Sequence, residues 1–195
     1  ADSVRFAGRE QDIAEVVSRA LADRTFVLYG RSGLGKTSLL LAGVFPEFRE
    51  RGYFPLHVRL LDDPLSDLHK SLKAAVTCDG PVPTDLEGLV ARLPGDAGVL
   101  LAFDQFEEFF IRNRAEPETR RHFIRKVVEL LEHSRRHLRV MFSLREDFLA
   151  EMDDFSADYP EILGNLYRLR PLTAFGTRQA IIAPLVADKI KFSEQ

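Results

Sequence analysis

The chain has 195 residues, enough for one α/β domain or one domain with a small appendage. A hydrophobic content of 45% supports a packed core, and a net charge of −3 offers no bulk attraction for nucleic acid. One cysteine, Cys78, excludes an intrachain disulfide; with no signal peptide and no bilayer-length apolar run, the expected setting is reducing, cytoplasmic and away from membranes.

Ile13, Val16, Val17, Ala20 and Leu21 repeat at helical spacing and predict an amphipathic helix over Glu10–Ala22. Thr25–Tyr29 then reads as a short buried strand. It runs into Gly30-Arg31-Ser32-Gly33-Leu34-Gly35-Lys36-Thr37, which meets the phosphate-loop pattern G-x-x-x-x-G-K-[ST] at every fixed position. A helix follows over Lys36–Val44, with Pro46 marking its end. Glycines let backbone N–H groups converge on phosphate oxygens, and the positive end of the next helix adds to that field. The loop residues and Ser38 after them are therefore the candidate phosphate cradle. Within it, Lys36 can reach the β- and γ-phosphates and Thr37 can ligate Mg²⁺.

Phe54–Leu60 is a second strand. Helices over Leu65–Val76 and Asp85–Leu93 flank a turn-rich link, Cys78–Pro83. The third strand, Val99–Phe103, delivers Asp104 to its C-terminal edge, followed by Gln105, Phe106, Glu107 and Glu108. This is the Walker B arrangement, in which the aspartate holds Mg²⁺ through water. If the segment turns helical, Glu107 and Glu108 share the side of Asp104, and one of them can polarise the attacking water. A helix N-terminus enriched in acids is the plain alternative; after a complete phosphate loop the catalytic reading is favoured. Many water-activating P-loop enzymes place Glu directly after the aspartate. Gln105 stands there, so the base is displaced to Glu107 or Glu108, or turnover is slow.

Phe123, Ile124, Val127, Val128 and Leu131 mark a helix over Pro117–Ser134. Arg112, Arg114, Arg120 and Arg121 fit either a kinase-type acceptor lid or a solvated helix face, the commoner case. His133 and His137 fit a cation-rich helix end better than a zinc site. The apolar strip Phe103, Phe106, Phe109, Phe110 reads as core. Leu138–Ser143 is a fourth strand, beyond which Arg145 can sense the γ-phosphate or pair with its acidic neighbours. Leu166–Leu169 is a candidate fifth strand, and Thr173–Ala187 a closing helix. Buried strands separated by helices imply a parallel, doubly wound sheet with nucleotide at the strand C-terminal ends. The guanine-reading N-K-x-D is absent, so ATP is expected over GTP.

Phe6-Ala7-Gly8-Arg9-Glu10, the loop Gly30–Thr37 and Asp104-Gln105-Phe106-Glu107-Glu108, in this order, resemble the STAND signal-transduction NTPases, most closely the "novel STAND" domain of bacterial multidomain proteins. Ser143–Leu149, Arg170–Thr173 and Ala180–Pro184 fit the same family, so the resemblance spans nearly the whole chain. It implies an AAA+-like P-loop fold, three-layer α/β/α with a five-stranded parallel sheet, the strand bearing Arg145 lying between the first and third. It also implies that Phe6 and Arg9 lie near the adenine, that Pro171 closes over the base, and that ATP or ADP binds with Mg²⁺. Such proteins resemble switches: ADP holds a closed monomer, and ATP permits homo-oligomerisation that activates fused effector and sensor domains in signalling or defence. On this basis residues 1–24 form an N-terminal segment and helix, 25–172 the NTPase core, and 173–195 the start of a lid or linker, in a domain excised from a longer protein. A small-molecule kinase and a nucleotide-binding scaffold with negligible turnover are the alternative functions.

Overall fold

The computed structural model describes residues 8–77, 80–134, 137–174, 176–178 and 182. Its core follows from the two-residue period of the strands. In β1 (Thr25–Gly30), β3 (Gly98–Phe103) and β4 (Leu138–Arg145), successive side chains point to opposite faces of one sheet. Phe26, Leu28, Leu100, Ala102 and Met141 face one helical layer; Val27, Val99, Leu101, Phe103, Val140 and Phe142 face the other. Because both faces are covered, every residue of β3 is buried.

The first layer is α1 (Glu10–Ala22), which buries Val16, Val17 and Ala20, and the helix that follows the Gly-rich loop. Glu10 and Asp12 in the first turn of α1 and Arg19 in its last complement the helix dipole. The loop helix has three parts: α2 (Lys36–Ser38), a π-helical stretch Leu39–Val44, and α3 (Phe45–Glu50). Pro46 therefore does not end it, contrary to expectation. The wider π turn relieves the clash between a proline ring and the carbonyl four residues back, and Pro46 sits in the first turn of α3, where its missing N–H costs least. Gly43 lets α1 approach this stretch closely: a Cβ there would fall 2.6 Å from Ile13.

The second layer holds α4 (Pro64–Ala75), α5 (Leu86–Ala91), α6 (Glu107–Arg112), α7 (Pro117–His133) and the 3₁₀ segment Glu146–Phe155. Asp63 and Asp85 cap α4 and α5 by accepting from Ser66 N and Gly88 N. With the edge strands β2 (Tyr53–Val58) and β5 (Leu166–Arg168), the sheet runs β2-β3-β4-β1-β5, all parallel. The expected fold holds: three layers, five parallel strands, and the strand of Arg145 between the first and third. β2 and β5 are shorter at their C-terminal ends than expected. Of the helix expected over Thr173–Ala187, positions 174, 176–178 and 182 are described and helical. Phe6 and Cys78 lie outside the described residues. No helix among the described residues is long and apolar enough to cross a membrane.

Candidate functional site

β1 ends at Gly30 and the chain turns through the loop into α2. Gly33 and Gly35 have φ of 77° and 84°, left-handed values that a β-carbon would oppose. This geometry brings Lys36 back over its own loop. Its buried Nζ donates to the carbonyls of Gly30 and Arg31, both at 3.0 Å. Burial lowers the Lys36 pKa below its usual value, while the negative charges of Glu107 and Asp104 oppose that shift. The ammonium therefore sits within the field of two carboxylates.

Strand parity builds the acidic corner. Phe103 points into the second layer, so Asp104 turns to the face that carries the loop helix. Its Oδ2 accepts from the Thr37 hydroxyl at 2.7 Å and from His57 Nε2 at 3.1 Å; its Oδ1 accepts from Ser143 Oγ at 2.9 Å. Burial pushes the Asp104 pKa up, but the hydrogen bonds from His57, Thr37 and Ser143 outweigh it and hold the carboxyl below its ordinary value. It is thus ionised at neutral pH, and His57 Nε2 must be the donor. Sequence reasoning missed His57 and Ser143. The signal was present for His57: in His57-Val58-Arg59-Leu60 polar and apolar residues alternate where the second strand ends.

Beyond Asp104 the chain does not run straight into a helix. Gln105 has φ 54°, and Phe106 N donates to Ser143 O at 2.8 Å. α6 starts only at Glu107, and consecutive helical residues point about 100° apart, from 3.6 residues per turn. Glu107 and Glu108 therefore do not share a side, contrary to expectation. Glu107 is buried and its Oε2 accepts from Arg145 N at 3.2 Å. Burial raises its pKa, against its hydrogen bonds and the charges of Lys36 and Arg145. Glu108 faces outward and pairs with Arg112 at 3.4 Å.

Arg145 lies beside Gly30 in the ladder. Its guanidinium grips Asp147 in two bonds of 2.5 and 3.1 Å and lies over the Phe148 ring. At the loop mouth, Glu146 joins Arg31 to Arg168; the bonds from Arg168 lower the Glu146 pKa, with a smaller contribution from Arg31. Arg9 is buried and bridges three elements: it donates to Asp12 at 2.8 Å, to Arg170 O at 2.7 Å and to Leu34 O at 3.1 Å. It thus ties the N-terminal segment and the loop to the segment carrying Pro171, which is exposed. Arg112, Arg120 and Arg121 all pair with acids of their own layer, Arg120 with Glu151 and Asp154, as a structural face would.

Thr37 Oγ1 and the ionised Asp104, meeting at the C-terminal ends of β1 and β3, are oxygen donors of the kind a hard divalent cation takes alongside water. The donor set fits Mg²⁺.

The family model of the Novel STAND NTPase 1 matches residues 1–195. The chain belongs to that family. No curated protein matches it. Among solved structures, it is similar to the Orc1 protein of Aeropyrum pernix in complex with DNA, at TM-score 0.60 and 17% identity, over 93% of this chain and 50% of that one. It is similar to a Walker-type ATPase of Pyrococcus abyssi, at TM-score 0.62 and 13% identity, over 95% and 59% of the two chains. AMPPCP-bound DnaA from Aquifex aeolicus matches at TM-score 0.57 and 16% identity, over 96% and 54%. The chain thus spans 50–59% of the length of these structures, and at such identities the likeness concerns fold. This STAND NTPase domain carries the AAA+-type P-loop architecture.

Proposed function

We propose that the chain is an ATP-dependent switch domain of a larger signalling or defence protein. It binds ATP or ADP, hydrolyses ATP slowly, and alternates between an ADP-bound closed state and an ATP-bound oligomerising one. The observation that carries this reading is the convergence of Lys36 and Thr37, beyond the C-terminal end of β1, with Asp104 and Glu107, beyond that of β3, on either side of β4. Gly30, Arg31, Ser32, Gly33, Leu34, Gly35 and Ser38 cradle the phosphates. Thr37 and Asp104 would hold Mg²⁺, which would supply positive charge to offset that of the phosphates. Lys36 leaves its carbonyl partners for the phosphates. Arg145 leaves Asp147 for the γ-phosphate. Glu107, rather than Glu108, orients the attacking water, because it lies buried beside the Arg145 backbone and in the field of Lys36. Phe6, Arg9 and Pro171 border the adenine, and residues 173–195 begin the lid or linker.

Lys36→Ala tests the site. A charged hydrogen bond is worth roughly 1.5–3 kcal/mol, so affinity for a fluorescent ADP should fall about 10–100-fold. Unchanged affinity contradicts the reading. Light scattering after gel filtration tests the switch: the mass with Mg²⁺ and AMPPCP should exceed that with Mg²⁺ and ADP. Equal masses would leave a nucleotide-binding domain without the switch.

A further inference from the structure

The segment that leaves β4 opens with two adjacent acids, and between them they occupy three arginines at the mouth of the Gly-rich loop. Glu146 and Asp147 begin the 3₁₀ segment Glu146–Phe155. In the sheet Arg145 stands level with Gly30 and Arg168 with Tyr29, so β4 and β5 bring their arginines to the edge where the loop starts. Asp147 takes Arg145. Glu146 takes the other two. Its Oε1 accepts from Arg31 Nε at 3.2 Å, and its Oε2 from Arg168 Nε and Nη2 at 3.0 and 2.8 Å. Neither Arg31 nor Arg168 pairs with another acid among the described residues.

As a clamp this bridge is worth little, because the Arg31 side chain is 74% exposed and water screens the pair. Its charge matters more than its grip. Lys36, whose pKa burial lowers, feels the opposing charge of Glu146 as well as those of Glu107 and Asp104. The Glu146 carboxylate therefore lies within electrostatic reach of the phosphate site. A γ-phosphate brings more negative charge than ADP carries and needs more counterions. An ionised Glu146 repels that extra charge and keeps two guanidiniums engaged elsewhere.

We propose that Glu146 is a specificity-determining residue that turns the site toward the diphosphate: it engages Arg31 and Arg168 and sets a negative charge against the γ-phosphate. The inference rests on the nucleotide-switch reading and deepens it. A switch leans toward ADP only through a difference in affinity between the two nucleotides. Glu146 supplies part of that difference, and Arg168 limits it by offsetting the carboxylate.

The test is the affinity of the full chain for ADP and for AMPPCP, each with Mg²⁺, by competition against a fluorescent ADP. Glu146→Gln keeps the size of the side chain and removes its charge. It should strengthen AMPPCP binding by about 5-fold or more, with ADP held within about twofold of the parent. Arg168→Gln breaks the same bridge from the other side but leaves the carboxylate with one counterion fewer. It should weaken AMPPCP relative to ADP by about twofold or more. Opposite shifts separate charge from a structural clamp, which either substitution would break alike. Raising KCl should shrink both shifts, because the cluster is exposed. Shifts in the same direction, equal changes for both nucleotides, or no change overturn the role of Glu146. Lys36→Ala, run in parallel, separates the two levels. Binding that survives in the parent and fails with Lys36→Ala leaves the nucleotide reading standing while Glu146 is judged; binding indifferent to Lys36 overturns both.

Discussion

The Gly-rich loop and the acidic corner face each other but are built in opposite ways. The loop is local. Lys36 bonds carbonyls five and six residues back in its own segment, and the glycines that allow this lie between. The corner is assembled: Asp104 leaves β3, His57 comes from β2, Ser143 from β4 and Thr37 from the loop helix. Their backing differs as well. Aliphatic residues such as Val16, Leu39, Leu40 and Val44 dominate behind the loop. Behind the corner stands a cluster of phenylalanines, with Phe106 at its centre, 4.8 Å from Phe142 and 5.0 Å from Phe109 by ring centroid. A motif that folds on itself tolerates small shifts around it. A carboxylate held by three strands and a helix depends on the packing that keeps those elements in register.

The largest expected effect lies behind the corner. Phe106 is buried and follows Gln105 directly, so Phe106→Ala should cost about 3–5 kcal/mol in urea denaturation. ATP turnover should suffer more than ADP affinity, because the corner moves and the loop does not. An equal loss of both would erase the contrast. Next comes Asp104→Asn, which spoils the anion that three donors share. The expected cost at pH 7 is about 1–3 kcal/mol. The folded pKa of Asp104 lies below its ordinary 3.8, so its stabilisation is complete above 3.8 and fades as pH falls through the folded value. The gap between parent and variant should close below pH 3.8; a constant gap would show that shape, not charge, matters there.

How legible these regions were follows from how they are built. The loop, α1, α7 and the strands are written in consecutive residues: one motif, two apolar stripes, short apolar runs. The expected strand order came with the family resemblance and holds in the sheet. What escaped was long-range. His57 and Ser143 are separated from Asp104 by 47 and 39 residues, and only the register of β2, β3 and β4 brings them together. Pro46 was misread because its local rule assumes an α-helix, and the π-helical stretch before it changes the geometry. Glu107 and Glu108 read alike in the sequence because the positive φ of Gln105, which sets the helix start, leaves no mark on residue types.

That last difference gives the most direct test. The central claim is that α6 turns one glutamate to the chemistry and the other to solvent. Glu107 has a pKa raised by burial, so its charge costs stability above its folded pKa, and that cost vanishes below the ordinary 4.5. Glu107→Gln should therefore melt slightly above the parent at pH 7. The decisive measurement is ATP turnover of Glu107→Gln beside Glu108→Gln, with ADP affinity checked in both. Glu107→Gln should lose roughly 10²-fold or more, while Glu108→Gln should keep a rate close to the parent. A slow Glu108→Gln beside an unimpaired Glu107→Gln would contradict that claim.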